Sequence, residues 1–294
     1  MTKELRISIG SGLACVAVLL LIFAPGCTKV PNGGVPIYLQ VDSPSVAYDG
    51  GAFGSPGFRI PDAWVESGAT DLGAYEMPIR VPILAQGDVS ILISAGIYDN
   101  GIISSRASYP FYRSDTFTIH NAVPGQVYTR HPVYHYFANT QHGILENFNS
   151  STSFDSHMSI SNEDADSLPG LPLHSGQIVM GTNDTMTVCL QANGTTVNTN
   201  GREAYVEMNF KKSNTNENMP FDVGLAATDG TGTISYYPLI TIFPQTSWKK
   251  TYLNFSSFIG NNAGSSFKIY YVVYKNPGIT GTVYFDNVKL LYFN

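Results

Sequence analysis

Between residues 35 and 294 the sequence is cut into short runs by turn-forming clusters, and none of those runs is periodic enough to make a helix of three turns. The punctuation is explicit in Asp49-Gly50-Gly51, Ser67-Gly68, Gln86-Gly87, Asn100-Gly101 and Pro124-Gly125. Glycine takes up positive φ without steric cost, and Asn and Asp tolerate it, so such pairs reverse the chain. The stretches between them alternate. Asp88-Val89-Ser90-Ile91-Leu92-Ile93 puts Val89, Ile91 and Ile93 on one face of a strand, because successive side chains point to opposite sides of the pleat. Many short alternating runs with turn signals between them specify an all-β chain. Composition agrees: 18 Tyr and 16 Phe favour the pleated surface, and only 13% of residues are charged.

The length calls for two domains at the usual one to two hundred residues each. The first spans 35–137, with strands expected at 36–41, 63–66, 77–84, 88–93, 115–119 and 126–135. About seven short strands in a hundred residues read as an immunoglobulin-like or transthyretin-like β-sandwich. Residues 138–143, Ala-Asn-Thr-Gln-His-Gly, are polar and turn-rich and read as a linker. The second domain spans 144–294, with strands expected at 177–180, 185–191, 204–210, 221–228, 235–242, 249–255, 268–274 and 282–293. Eight strands in that length fit a jelly-roll sandwich.

Two resemblances extend this reading. Ile60-Pro61-Asp62-Ala63-Trp64-Val65, Asp71-Leu72-Gly73-Ala74-Tyr75-Glu76-Met77-Pro78 and Ala95-Gly96-Ile97-Tyr98-Asp99-Asn100-Gly101 resemble an N-terminal domain of Bacteroidetes cell-envelope lipoproteins. In the second domain, Leu145-Glu146-Asn147-Phe148, Trp248-Lys249-Lys250-Thr251-Tyr252-Leu253-Asn254-Phe255 and Tyr284-Phe285-Asp286-Asn287-Val288-Lys289-Leu290 resemble the galactose-binding-like jelly rolls of carbohydrate-binding modules. That second resemblance implies a sandwich with Trp248 as a packing residue. It also implies a structural Ca²⁺ where the opening and closing segments meet, held partly by Glu146 and Asp286 through the oxygen ligands that calcium takes.

The N-terminus has its own signature. Lys3 and Arg6 precede an apolar run from Leu13 to Phe23, then Ala24-Pro25-Gly26-Cys27. About 11 apolar residues are too few to cross a bilayer core but suit the h-region of a signal peptide. Small residues followed by Cys resemble the lipobox of bacterial prolipoproteins. The resemblance implies a signal peptide at 1–26, an acylated Cys27, a short tether at 27–34 and anchoring in the outer membrane, with the leaflet open.

Sixteen Lys and Arg against 22 Asp and Glu, without a basic cluster, argue against a nucleic-acid partner. Once Cys15 leaves with the signal and Cys27 is acylated, Cys189 stands alone, so no internal disulfide forms. Its setting, Met186-Thr187-Val188-Cys189-Leu190, reads as a small buried residue. Glu203 and Glu207 lie ~13 Å apart along one strand, too far for a glycosidase pair at ~5–9.5 Å. His131 and His135 are equally separated and share no metal. Nucleophile elbows and phosphate loops are missing. The sequence therefore reads as non-catalytic.

Alternation in β-forming segments places Tyr205, Tyr252 and Tyr270, with Glu207, on outward sheet faces. Aromatic rings stack on the C–H faces of sugars while carboxylates bond hydroxyls, so these four residues are the expected glycan site. Two other readings stay open: a structural or assembly lipoprotein contacting other envelope proteins, and a jelly-roll hydrolase or lyase.

Overall fold

A computed structural model describes residues 34–48, 54, 57–163, 165, 174–213 and 218–294. The signal segment, Cys27 and nearly all of the tether lie outside the described residues. In chain order the first half carries β1 (Ile37–Val41), β2 (Ser45–Val46), β3 (Asp62–Ser67), β4 (Thr70–Glu76), β5 (Ile79–Ile83), β6 (Gly87–Tyr98), β7 (Arg106–Ser108), β8 (Tyr112–Arg113), β9 (Asp115–Ala122), β10 (Val127–Arg130) and β11 (Val133–Tyr136). The second half carries β12 (Thr140–Glu146), β13 (Ser159–Ser161), β14 (Ser175–Met180), β15 (Met186–Leu190), β16 (Thr195–Thr196), β17 (Ala204–Lys212), β18 (Phe221–Thr228), β19 (Ile234–Ile242), β20 (Lys249–Asn254), helix α1 (Ser256–Asn261), β21 (Ser266–Tyr274) and β22 (Gly281–Phe293).

The first half is a sandwich. One layer holds β10-β1-β5 and the short β2-β11-β8; the other holds β4-β3-β6-β7, with β9 on β6. The alternation predicted for β6 is present: Val89, Ile91 and Ile93 are buried with Ile37, Leu39 and Val41 of β1 and Ala63 and Val65 of β3. The second half is a larger sandwich of β13-β14-β22-β17-β20, with β12 on β22, against β15-β21-β18-β19, with β16 on β21. Ala204, Val206, Met208 and Phe210 of β17 enter its core, as alternation requires, opposite Phe267, Ile269, Tyr271 and Val273 of β21. Cys189 is fully buried there, and burial pushes its thiol pKa up.

Three expectations need correcting. The supposed linker is strand from Thr140 onward, because β12 pairs with β22 from Thr140↔Phe293 to Glu146↔Val288. Trp248 is half-buried, tilted against Tyr284 with Lys211 over its ring, and does not join the core. The third correction positions everything that follows: the two sandwiches are packed together. Ile97, Tyr109, Phe111, Tyr112, Tyr134 and Tyr136 of the first share one buried cluster with Tyr205, Tyr252 and Leu291 of the second. The turn after β6 docks on β20, where Asp99 bridges to Tyr252 and the Asn254 N–H donates to Asn100 Oδ1 at 2.7 Å.

Candidate ligand-binding surface

β17 is central in its sheet, so it has two faces and both are buried. Its register sets Glu207 between Tyr252 of β20 and Lys289 of β22. On that face the carboxylate lies under the first sandwich and is 0% exposed. The Tyr109 and Tyr136 hydroxyls both donate to Oε1, the second at 2.9 Å. Lys250 Nζ lies 2.8 Å from Oε2, off-axis for a hydrogen bond, and Lys289 Nζ lies 3.8 Å away. Burial alone would raise the Glu207 pKa, but the charges of the two ammonium groups, the close Lys250 contact and the Tyr109 hydroxyl bond outweigh it and hold the pKa at about 2. The surrounding phenols are pushed the other way, chiefly by burial and then by the Glu207 charge.

This geometry overturns the placement of the expected glycan residues. Tyr205, Tyr252 and Glu207 were expected on a solvated face. All three are buried between the sandwiches, where Tyr205 donates to Asp99 Oδ1 and the Tyr252 hydroxyl accepts from the Arg59 N–H. They join the two halves and present nothing to a ligand. Glu203 stays outside, accepting from the Ser256 hydroxyl, so it and Glu207 do not face a common substrate.

The two acids expected at the calcium site both hold backbone. Glu146 accepts the Phe148 N–H at 2.8 Å and the Ser153 N–H at 2.6 Å, which folds the chain after β12. Asp286 accepts the N–H of Asn287 at 2.7 Å and of Ala165 at 3.1 Å, beside a bulge where Asn287 has φ of 50°. Among the described residues no group of three acidic, His or Cys side chains is arranged to hold an ion.

With one sheet covered, the outer face of β15-β21-β18-β19 becomes the candidate surface. Strand pairing aligns Leu190, Tyr270, Gly224 and Pro238 in one row and Val188, Val272, Asp222 and Thr241 in the next. Tyr270 lies across Gly224: a Cβ there would stand 2.5 Å from the ring and 2.4 Å from the Tyr237 carbonyl oxygen. Only glycine admits that approach. Tyr270 is thus on the outer face as expected, yet it is 5% exposed and serves as a floor, not as a platform. Burial, with Asp222 and Tyr274 nearby, raises its pKa to about 12.

The exposed ring is Tyr236 of β19. It is 57% exposed and meets Tyr270 edge-on, centroids 5.5 Å apart at 81°. Such T-shaped contact fixes a ring at low entropic cost. Farther along the same face, at Asp222, four residues down β18 from Ala226, the strand partner of Tyr236, and so ~13 Å away, the Tyr274 hydroxyl donates to Asp222 Oδ2 at 2.8 Å and the Thr241 hydroxyl donates to Oδ1. The face thus combines one held aromatic ring, a carboxylate with aligned hydroxyls, and the exposed apolar side chains Met186 and Val188. The sequence signal for it was Tyr236 itself, paired across β18 with Ala226, a small residue that leaves the ring standing clear.

No protein-family model matches the chain, and no curated protein matches it in sequence. Similar solved structures are carbohydrate-binding modules with sandwich folds. One, described among modules of the β-sandwich superfamily with promiscuous specificity, is 10% identical, covers 79% of this chain and 85% of its own, and has a TM-score of 0.35. A family 22 module of a Clostridium thermocellum xylanase is 13% identical, covers 54% and 98%, and has a TM-score of 0.35. A family 11 module of a cellulosomal cellulase from the same organism is 16% identical, covers 52% and 95%, and has a TM-score of 0.33.

Proposed function

We propose that this protein is a non-catalytic, lipid-anchored envelope protein that binds glycan on the free sheet face of its second sandwich. The observation that carries the reading is Tyr236: an exposed ring, braced edge-on by Tyr270, on the same sheet face as an Asp222 carboxylate whose two oxygens hold hydroxyl groups. The ring offers its face to the C–H side of one sugar, and Asp222, Tyr274 and Thr241, ~13 Å along the strands, offer acceptors and donors to another sugar of the same oligosaccharide. No nucleophile–base pair and no spaced carboxylate pair accompanies this face among the described residues, which supports binding without turnover.

The test is a polysaccharide array followed by titration of the soluble chain with the best oligosaccharide. Tyr236→Ala is expected to weaken binding about tenfold, one stacking contact being worth on the order of 1 kcal/mol. Equal affinity for wild type and variant overturns the site, and product formation from the oligosaccharide overturns the non-catalytic part. Exposed Met186 and Val188 on the same face support a second reading, contact with another envelope protein; no glycan hit together with a partner captured through this face would favour it. Anchoring rests on Ala24-Pro25-Gly26-Cys27 after the apolar run. Palmitate label in the wild type and none in Cys27→Ala is the expected result; equal label in both refutes it.

A further inference from the structure

A second place for a ligand lies where the first sandwich meets the open edge of the second. The Asn100-Gly101 turn, with φ of 55° and 72°, roofs a cleft between strands β19 and β20. Its volume is about 290 Å³. That is the small end of the roughly 300–1,000 Å³ range of ligand clefts, which favour such interdomain positions, and it suits one sugar-sized molecule.

Two cations line it. Arg59 enters from the first sandwich and Lys249 from the second. Elsewhere Arg106 pairs with Asp62, Arg130 with Asp115, Lys211 with Glu163 and Lys250 with Glu207. Arg59 and Lys249 are half-buried and have no carboxylate partner among the described residues; Arg59 only lies over the Tyr98 ring, at 4.7 Å. Both cations line one recess, so their charges add there. Thr251 supplies the independent observation. It lines the same cleft, is 4% exposed, and its Oγ1 has no hydrogen-bond partner among the described residues. A buried hydroxyl without a partner is costly, so native proteins nearly always satisfy one. Apolar Ile240 and Phe243 complete the wall.

We propose that this cleft binds a carboxylate-bearing small molecule of sugar size. Arg59 and Lys249 would grip the carboxylate, and the Thr251 hydroxyl would bond a ligand hydroxyl. Arginine's planar fork matches a carboxylate, and partial enclosure strengthens charge-assisted bonds. The cleft shares Thr241 with the edge of the free sheet face, but Tyr236 and Asp222 do not line it.

The experiment is calorimetric titration of the intact chain with D-glucuronate, D-glucose and acetate. Glucuronate is expected to bind, with glucose at least about tenfold weaker for want of the charge-assisted bonds. Arg59→Gln and Lys249→Gln are each expected to weaken glucuronate about tenfold, and Tyr236→Ala is expected to leave it unchanged. Thr251→Val keeps the shape; it should weaken glucuronate while leaving the unliganded melting temperature the same or higher, which separates lost binding from lost folding. Glucuronate tighter than acetate assigns the ligand as a sugar acid; equal affinities assign a simple carboxylate. Absence of binding by both acids overturns the proposal. So does binding that ignores both charge substitutions in variants that melt like wild type.

Discussion

Glu207→Gln removes the carboxylate that lies against Lys250 and Lys289 in the buried interface and keeps the side chain's size. The two ammonium groups are 2% and 0% exposed, so neither can turn to water without opening the sandwiches. The magnitude follows from the carboxylate's pKa, about 2 in the folded chain against an ordinary 4.5. At 1.36 kcal/mol per unit, that difference is about 3 kcal/mol of stability at neutral pH. Removing one partner of a buried pair costs roughly 3–5 kcal/mol in other proteins, which agrees. The folded pKa lies below the unfolded one. The contribution is therefore full above pH 4.5 and is lost as pH falls toward 2. Thermal melts at pH 7 should show the variant lower by roughly 6–12 °C, at two to four degrees per kcal/mol for chains of this size. In a pH series the two curves should converge between pH 4.5 and 2. Adding Lys289→Met should recover part of the loss, because one of the stranded charges goes. A loss under about 1 kcal/mol, or a difference that does not shrink in acid, would refute a desolvated network and a closed interface.

Two further outcomes follow from packing. Gly224→Ala should cost about 1–3 kcal/mol in denaturant melts, because its Cβ would meet the Tyr237 carbonyl oxygen at 2.4 Å and the Tyr270 ring at 2.5 Å. The same variant should weaken glycan binding by tilting Tyr236 off its brace; wild-type stability would show that the ring and strand move freely. The Cys189 thiol is buried with a raised pKa, so a thiol reagent should react with it only on unfolding; fast native labelling would show that the β15 edge opens.

The strands were legible wherever one face meets a core and the other meets water. β6 is such a case, and the inward faces of β17, β18 and β21 followed the same rule. The rule failed where the second face is covered too. Tyr205, Glu207 and Asn209 read as a solvated row because alternation ranks polarity and cannot see a neighbouring domain. A signal was nevertheless present: β17, β20 and β22 place Glu207, Lys250 and Lys289 on one face among Tyr205, Tyr252 and Leu291. Opposite charges interleaved with large apolar groups on adjacent strands mark a buried pair more than a wet surface. On the other side, Tyr109-Pro110-Phe111-Tyr112 and Tyr134-His135-Tyr136 supplied matching hydroxyls. β12 was missed for the opposite reason. It is an edge strand with a bulge at Gly143, so it carries the polar residues and glycine of a linker. The six-residue helix α1 is too short for any periodicity to report. Glu146 illustrates how a motif and its role part company: the acid stands in the expected place, but its oxygens hold the backbone of the following turn.

The most direct measurement is amide hydrogen exchange of the intact chain with and without a bound oligosaccharide, read by peptide. Protection is expected over 186–190, 222–228, 234–242 and 268–274, the strands of the free face. Residues 204–209 and 289–291 should be slow in both states, because the first sandwich already covers them. Saturating glycan that leaves the free face unchanged, or that slows exchange in the covered strands instead, would contradict the account.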